Sequence, residues 1–190
     1  MKVEWKASEL LYPCPVTLVT CADQEGKANI IPLAWVGVVC SDPPTIGIAI
    51  RPQRYSYGLI QETKEFVVNI PTADILYETD YCGEVSGMDH DKFAETGLTP
   101  EPSTHVKPPL IRECPVNLEC TLQQVLKLGV HDLFLGQVVA VHVDQGILDE
   151  KGCIDYAKAK PFVYNHGEYW SLGKMIGLRH LSRKLAESVS

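Results

Sequence analysis

The stretch ANIIPLAWVGVVCSDPPTIGIAIRPQRYSY, residues 28–57, decides the reading of this chain. Its apolar runs at 28–34, 36–40 and 45–50 are short and largely β-branched, and Asp42-Pro43-Pro44 is a strong turn between the last two. Three strands therefore lead into a loop holding Arg51 and Arg54 around Pro52-Gln53, with Ser56 set between Tyr55 and Tyr57. A guanidinium forks onto two phosphate oxygens and keeps its charge when partly buried. A hydroxyl and the first N–H groups of a helix over residues 55–62 would extend the same anion site. Taken alone, two loop arginines are more often solvated surface charge. Pro32 lacks the N–H that a ladder needs, which puts residues 28–34 at a sheet edge or a bulge. Free backbone donors and acceptors there suit a flat heterocycle, with Asn29 and Trp35 alongside.

Further strands are expected at 15–21 (PVTLVTC), 65–70 (EFVVNI), 117–128 and 133–143, the last two joined by a turn around Gly129. A small hairpin is expected from 162–164 and 169–171 around Asn165-His166-Gly167. In the helix at 55–62, Leu59 and Ile60 should face inward. Thr72 reads as the N-cap of a second helix running to about Cys82, with Asp74 in its first turn. Residues 82–108, CGEVSGMDHDKFAETGLTPEPSTHVKP, are rich in Gly, Pro and charge and hold at most a short helix at 91–96. A connection this long in a compact domain is usually functional or covers an edge. The tail at 174–190, with Ile176, Leu178, Leu181 and Leu185, reads as an amphipathic helix. Many short strands with peripheral helices imply a mainly β, antiparallel barrel, and 190 residues fit a single domain over 1–190.

Net charge is −7 with 24 acidic against 17 basic residues, which argues against nucleic acid as a partner. No apolar run approaches the roughly 20 residues of a membrane span, and Glu4, Lys6 and Glu9 interrupt any leader, so a cytoplasmic location is expected. The seven cysteines are odd in number and never spaced C-x-x-C, which fits reduced, mostly packed thiols. The histidines show no H-E-x-x-H or paired spacing, so no metal site is expected. Dinucleotide and P-loop glycine signatures and a nucleophile elbow are also missing. His131, in the turn Gly129-Val130-His131-Asp132, is the best candidate for a reactive histidine, weighed evenly against a surface turn residue.

On these residues the chain resembles the flavin reductase-like FMN-binding split-barrel proteins, and among them the flavoredoxin group. The likeness runs over nearly the whole length. It rests on N-x-x-P-x-A-W at 29–35, S-D-P-P at 41–44, I-R-P-Q-R-Y-S at 50–56, E-F-V-V-N-I-P at 65–71, C-G-x-x-S-G-x-D-x-D-K-F at 82–93 and H-D-L-F-L-G-x-V at 131–138. The resemblance implies a six-stranded antiparallel Greek-key barrel acting as a homodimer, with FMN near the subunit interface. By position, Asn29, Pro32, Ala34, Trp35, Cys40 and Ser41 would line the isoalloxazine, largely through backbone groups. Arg51, Arg54 and Ser56 would hold the phosphate and ribityl end, with Tyr55 and Tyr57 nearby. Ser86, Gly87, Lys92 and Phe93 match a loop that closes over the cofactor, so Lys92 is a second phosphate candidate and residues 82–108 a lid. His131 matches a histidine beside the nicotinamide. The implied activity is an FMN-dependent oxidoreductase that takes electrons from NAD(P)H or a protein donor to a flavin, ferric iron or a redox protein. The alternative is a non-catalytic FMN electron carrier between protein partners. A barrel that binds another ligand, or only a partner protein, is a third reading.

Overall fold

The β-branched runs become strands wherever a turn residue lets the chain reverse. In the computed structural model, which describes residues 1–180, these are β1 (Cys14–Pro15), β2 (Thr17–Ala22), β3 (Ala28–Leu33), β4 (Val36–Ser41) and β5 (Pro44–Ile50). Helix α1 (Tyr55–Thr63) leads to β6 (Glu65–Ile70), and α2 (Leu76–Glu84) and α3 (Lys92–Thr96) follow. Then come β7 (Pro100–Glu101), β8 (Leu110–Ile111), β9 (Val116–Lys127), β10 (Asp132–Val143), α4 (Tyr156–Ala159), β11 (Phe162–Asn165) and β12 (Glu168–Ser171). Every strand pair is antiparallel.

The main sheet has seven strands in the order β3-β2-β6-β9-β10-β5-β4. Its two edges, β3 and β4, are consecutive in the chain and separated only by Ala34-Trp35. Three Cα–Cα steps reach at most about 11 Å, so the sheet must roll until its edges almost meet. The Ala49 N–H donates to the Trp35 carbonyl at 2.9 Å, which extends the β4–β5 ladder up to the bend at Ala34-Trp35. A mainly β, antiparallel barrel with peripheral helices is therefore what forms. Six strands were implied and seven are seen; counted as one strand bent at Ala34-Trp35, β3 and β4 restore six. Pro32 lies on the edge strand β3, where its missing N–H costs no ladder bond.

Val19, Cys21, Ile31, Ile46, Ile48, Ile50, Phe66 and Phe134 fill the barrel, and Leu59 and Ile60 of α1 plug it from within the same cluster. Strand β2 is buried along its whole length because both its faces are covered. Its outward Leu18 packs with Ile30, Cys82, Leu98, Ile111 and Cys114, so the excursion after α2 is a cover for the β2–β3 face. Glu119 on β9 fastens that cover: its carboxylate accepts from the N–H groups of Thr104, His105 and Val106 at 2.8, 2.6 and 3.1 Å. Asn69 fastens the next segment, donating to the Leu18 carbonyl at 2.9 Å and accepting from the Ile111 N–H at 3.1 Å.

Two helical expectations change. Thr72 caps a 3-10 turn at Ala73–Ile75, accepting from the Asp74 N–H, and the α-helix starts only at Leu76. Residues 174–180 carry no helix; Ile176 and Leu178 are exposed and two apart, and Gly173 and Gly177 loosen the backbone around them. Leu181 and Leu185 lie outside the described residues. The last hairpin forms as expected: His166 and Gly167 both take positive φ, 52° and 92°, the geometry of a two-residue turn that matches strand twist.

Candidate functional site

A cavity of about 530 Å³ opens where β3, the segment leading from β5 into α1, and the end of α2 converge. Asn29, Pro32, Ala34 and Trp35 form one wall, and Arg51, Arg54, Tyr55 and Ser56 form the next. Ser86, Gly87 and Lys92 come from the excursion and His131 from the turn before β10. Segments far apart in sequence thus meet at one place. The barrel seam is what brings them there, since it leaves β3 without a partner on its open side.

Charge distinguishes this cavity from the rest of the chain. Among the described residues its lining includes Arg51, Arg54 and Lys92 but no Asp or Glu, although acidic residues outnumber basic ones overall. Arg54 is the N-cap of α1 and no side chain caps that helix, so its first N–H groups are left open beside the guanidinium. Ser56, in the first turn, is buried, and its hydroxyl accepts from Asn29 Nδ2 at 2.8 Å, which leaves its own proton to donate. Lys92 is buried and donates to the carbonyls of Ile30 and Cys82 at 2.8 and 2.6 Å. Burial, with Arg54 nearby, pulls its ammonium below the ordinary lysine value. Two carbonyls take two of its protons, and as an ammonium it keeps a third. Gly87 passes so close to Asn29 Oδ1 that no Cβ fits there.

The other end is aromatic. Trp35 stacks on His131, with centroids 6.0 Å apart and planes 10° apart, and leans on Tyr164 at 6.4 Å. Tyr164 contacts Tyr169 at 6.1 Å, and the Tyr169 hydroxyl donates to Asp80 at 2.8 Å. His131 Nε2 accepts from Arg51 Nε at 3.3 Å. Burial, then Arg51 and Arg54, hold its imidazole below the usual histidine value, which favours the neutral ring.

Three expected residues do not reach the cavity. Cys40 and Ser41 lie at the far end of β4; five residues of strand carry Cys40 roughly 16 Å from Trp35. Cys40 is also exposed rather than packed, its thiol donating to the Asp42 carbonyl at 3.3 Å. Phe93 follows Lys92 on α3, and the helical turn sends it into the Leu18–Cys82 cluster instead. Tyr164 and Tyr169 were missed, although both line the cavity. Their only signal is the aromatic spacing Phe162-x-Tyr164 on one face of a short strand. All seven cysteines are free, and Cys21, Cys82, Cys114 and Cys120 are buried, where burial first of all pushes Cys21 and Cys120 up to about 12 and Cys82 to about 11.

The donor set fits a planar ligand with a phosphate at one end, the shape and charge of FMN. Arg54, Lys92, a hydroxyl and open helix N–H groups stand at one end, unpaired edge backbone along the middle, and aromatic rings with Arg51 at the other. The fold has close relatives among solved structures. Flavoredoxin of Desulfovibrio vulgaris (Miyazaki F) is 34% identical, covers 96% of this chain and 100% of its own, and superposes with a TM-score of 0.90. Flavoredoxin from Methanosarcina acetivorans is 31% identical over 98% of this chain and 99% of its own, with a TM-score of 0.89. An FMN-binding protein from Thermus thermophilus, solved with bound 1-cyclohex-2-enone, is 26% identical over 94% and 99%, with a TM-score of 0.80. The flavin reductase like domain matches residues 9–173. The chain therefore belongs to the flavin reductase-like family and has its split-barrel fold.

Proposed function

We propose that the chain binds FMN non-covalently in this cavity and passes electrons from NAD(P)H or a protein donor to an acceptor. The observation that carries the reading is the cationic, carboxylate-free lining in an acidic chain. Arg54, Ser56, the first turn of α1 and Lys92 would hold the phosphate. The open backbone of β3 would meet the ring, and Trp35, Tyr164 and Tyr169 would shield it from water. Bound there, FMN would supply the hydride and single-electron chemistry, and the protein orientation, hydrogen bonds and exclusion of solvent. The neutral His131 would offer one N–H donor at the mouth.

A flavin that serves only as an electron carrier between proteins is the second reading. The likeness to two flavoredoxins favours it. The exposed Val38 and Val39 on β4, with Val139 and Val141 on β10, support pairing with a second copy. Free thiols throughout suit a reducing compartment such as the cytoplasm; no helix among the described residues is long and apolar enough to cross a membrane. Fluorescence titration with FMN and with riboflavin tests the phosphate grip: FMN binds more tightly, and equal affinities contradict it. Steady oxidation of NADH or NADPH with free flavin or ferric iron then marks an enzyme, whereas flavin reduced only by a protein donor marks a carrier.

A further inference from the structure

We propose that Arg51 is a positioning residue for His131, fixing the imidazole in a single tautomer, and not a phosphate ligand. The inference rests on the flavin reading in one arm of its test alone. Arg51 and Arg54 look equivalent in sequence, three residues apart in one loop, yet the fold separates them. Arg54 sits on the open N-terminus of α1, whereas Arg51 turns its Nε–H to His131 Nε2 at 3.3 Å.

An N–H can donate only to a nitrogen with a free lone pair, so Nε2 carries no proton and the ring's single proton is on Nδ1. The ring plane is fixed independently by Trp35, which lies within 10° of parallel. A second proton on the ring is opposed by the guanidinium it would face. The groups around the ring act in the same sense: burial, Arg51 and Arg54 all oppose the charged form. The carboxylate next in sequence, Asp132, accepts from the Tyr57 hydroxyl at 2.6 Å instead, and no ion pair reaches His131 among the described residues. His131 is thereby held as a neutral ring whose one N–H is free. Such a ring suits the oxygen of a planar carbonyl or amide better than a carboxylate, which would draw a second proton onto it.

Nitrogen-15 NMR of the histidine rings tests this directly, with His131→Gln to identify the signals. In the wild type the Nδ1–H form dominates and the ring titrates below an ordinary histidine. Arg51→Ala moves the titration up and lets the tautomers mix. Arg51→Lys, which keeps a charge and N–H donors, holds the low titration and restores part of the tautomer bias. Unchanged tautomer and titration in Arg51→Ala overturn the proposal. In FMN titrations Arg51→Ala stays within about threefold of wild type while Arg54→Ala loses about thirtyfold; equal losses would make Arg51 a phosphate ligand and also overturn it. If the wild type binds no FMN, the flavin reading fails while the NMR arm still decides the role of Arg51.

Discussion

At Gly87 the site tolerates no side chain at all, because a Cβ there would overlap Asn29 Oδ1. Asn29 in turn holds Ser56, so Gly87→Ala should push the carboxamide off the hydroxyl and weaken FMN binding by about 2 kcal/mol, roughly thirtyfold. Calorimetric titration reads this, and unchanged affinity would mean that Asn29 moves at no cost. Arg54→Ala should lose about as much through its charge-assisted bonds to phosphate. Trp35→Phe keeps a stacking ring and should lose less than about 1 kcal/mol. Equal FMN affinity in wild type and Arg54→Ala would remove the phosphate assignment. Arg54 and Ser56 could be read from sequence because their chemistry is local to one strand-turn-helix passage, and Asn29, two strands earlier, through the resemblance. Tyr164 and Tyr169 could not, because nothing within a short terminal hairpin says that it folds back against Trp35.

At the scale of elements, the part of the cover at residues 104–106 is held by one buried carboxylate. Burial alone would raise the Glu119 value, but hydrogen bonds from the Thr104 N–H, His142, the His105 N–H and the Thr104 hydroxyl hold it at about 2. A folded value below the unfolded one adds stability above the unfolded value and loses it as pH falls through the folded one. The contribution, about 3 kcal/mol at neutral pH, should therefore fade between about pH 4.5 and 2. Urea melts of wild type and Glu119→Gln across that window should converge at the acid end; a constant gap would show that the charge is not what holds the segment. Sequence hides this clamp because a lone Glu in a strand looks like a solvent-facing residue, and its partners lie 13 to 15 residues upstream in an irregular segment. Gly136 on β10 is a second hidden constraint. A Cβ there would run into the Phe66 ring and Cys120. Gly136→Ala should cost about 1–3 kcal/mol by overpacking the barrel, read as a lower melting temperature.

For the whole molecule, the chain's own connectivity imposes closure. Strand positions were legible from β-branched runs between turn residues, and Pro32 marked its strand as an edge. That the opposite edge is the very next strand follows only from pairings such as β6 with β9, which join residues about fifty apart. The same closure opens the seam in which the cavity lies. Four of the exposed apolar residues, Val38 and Val39 on β4 with Val139 and Val141 on β10, lead us to expect a dimer in sedimentation experiments. Val38→Asp should shift it toward monomer, and an unaltered sedimentation coefficient would place the contact elsewhere.

The central claim, that the cavity holds FMN, is tested most directly by the visible absorbance of the purified protein before and after denaturation. The account predicts flavin bands in the native protein and release of FMN, in about one equivalent per chain, into the supernatant. A colourless protein that cannot be reconstituted with FMN would contradict it.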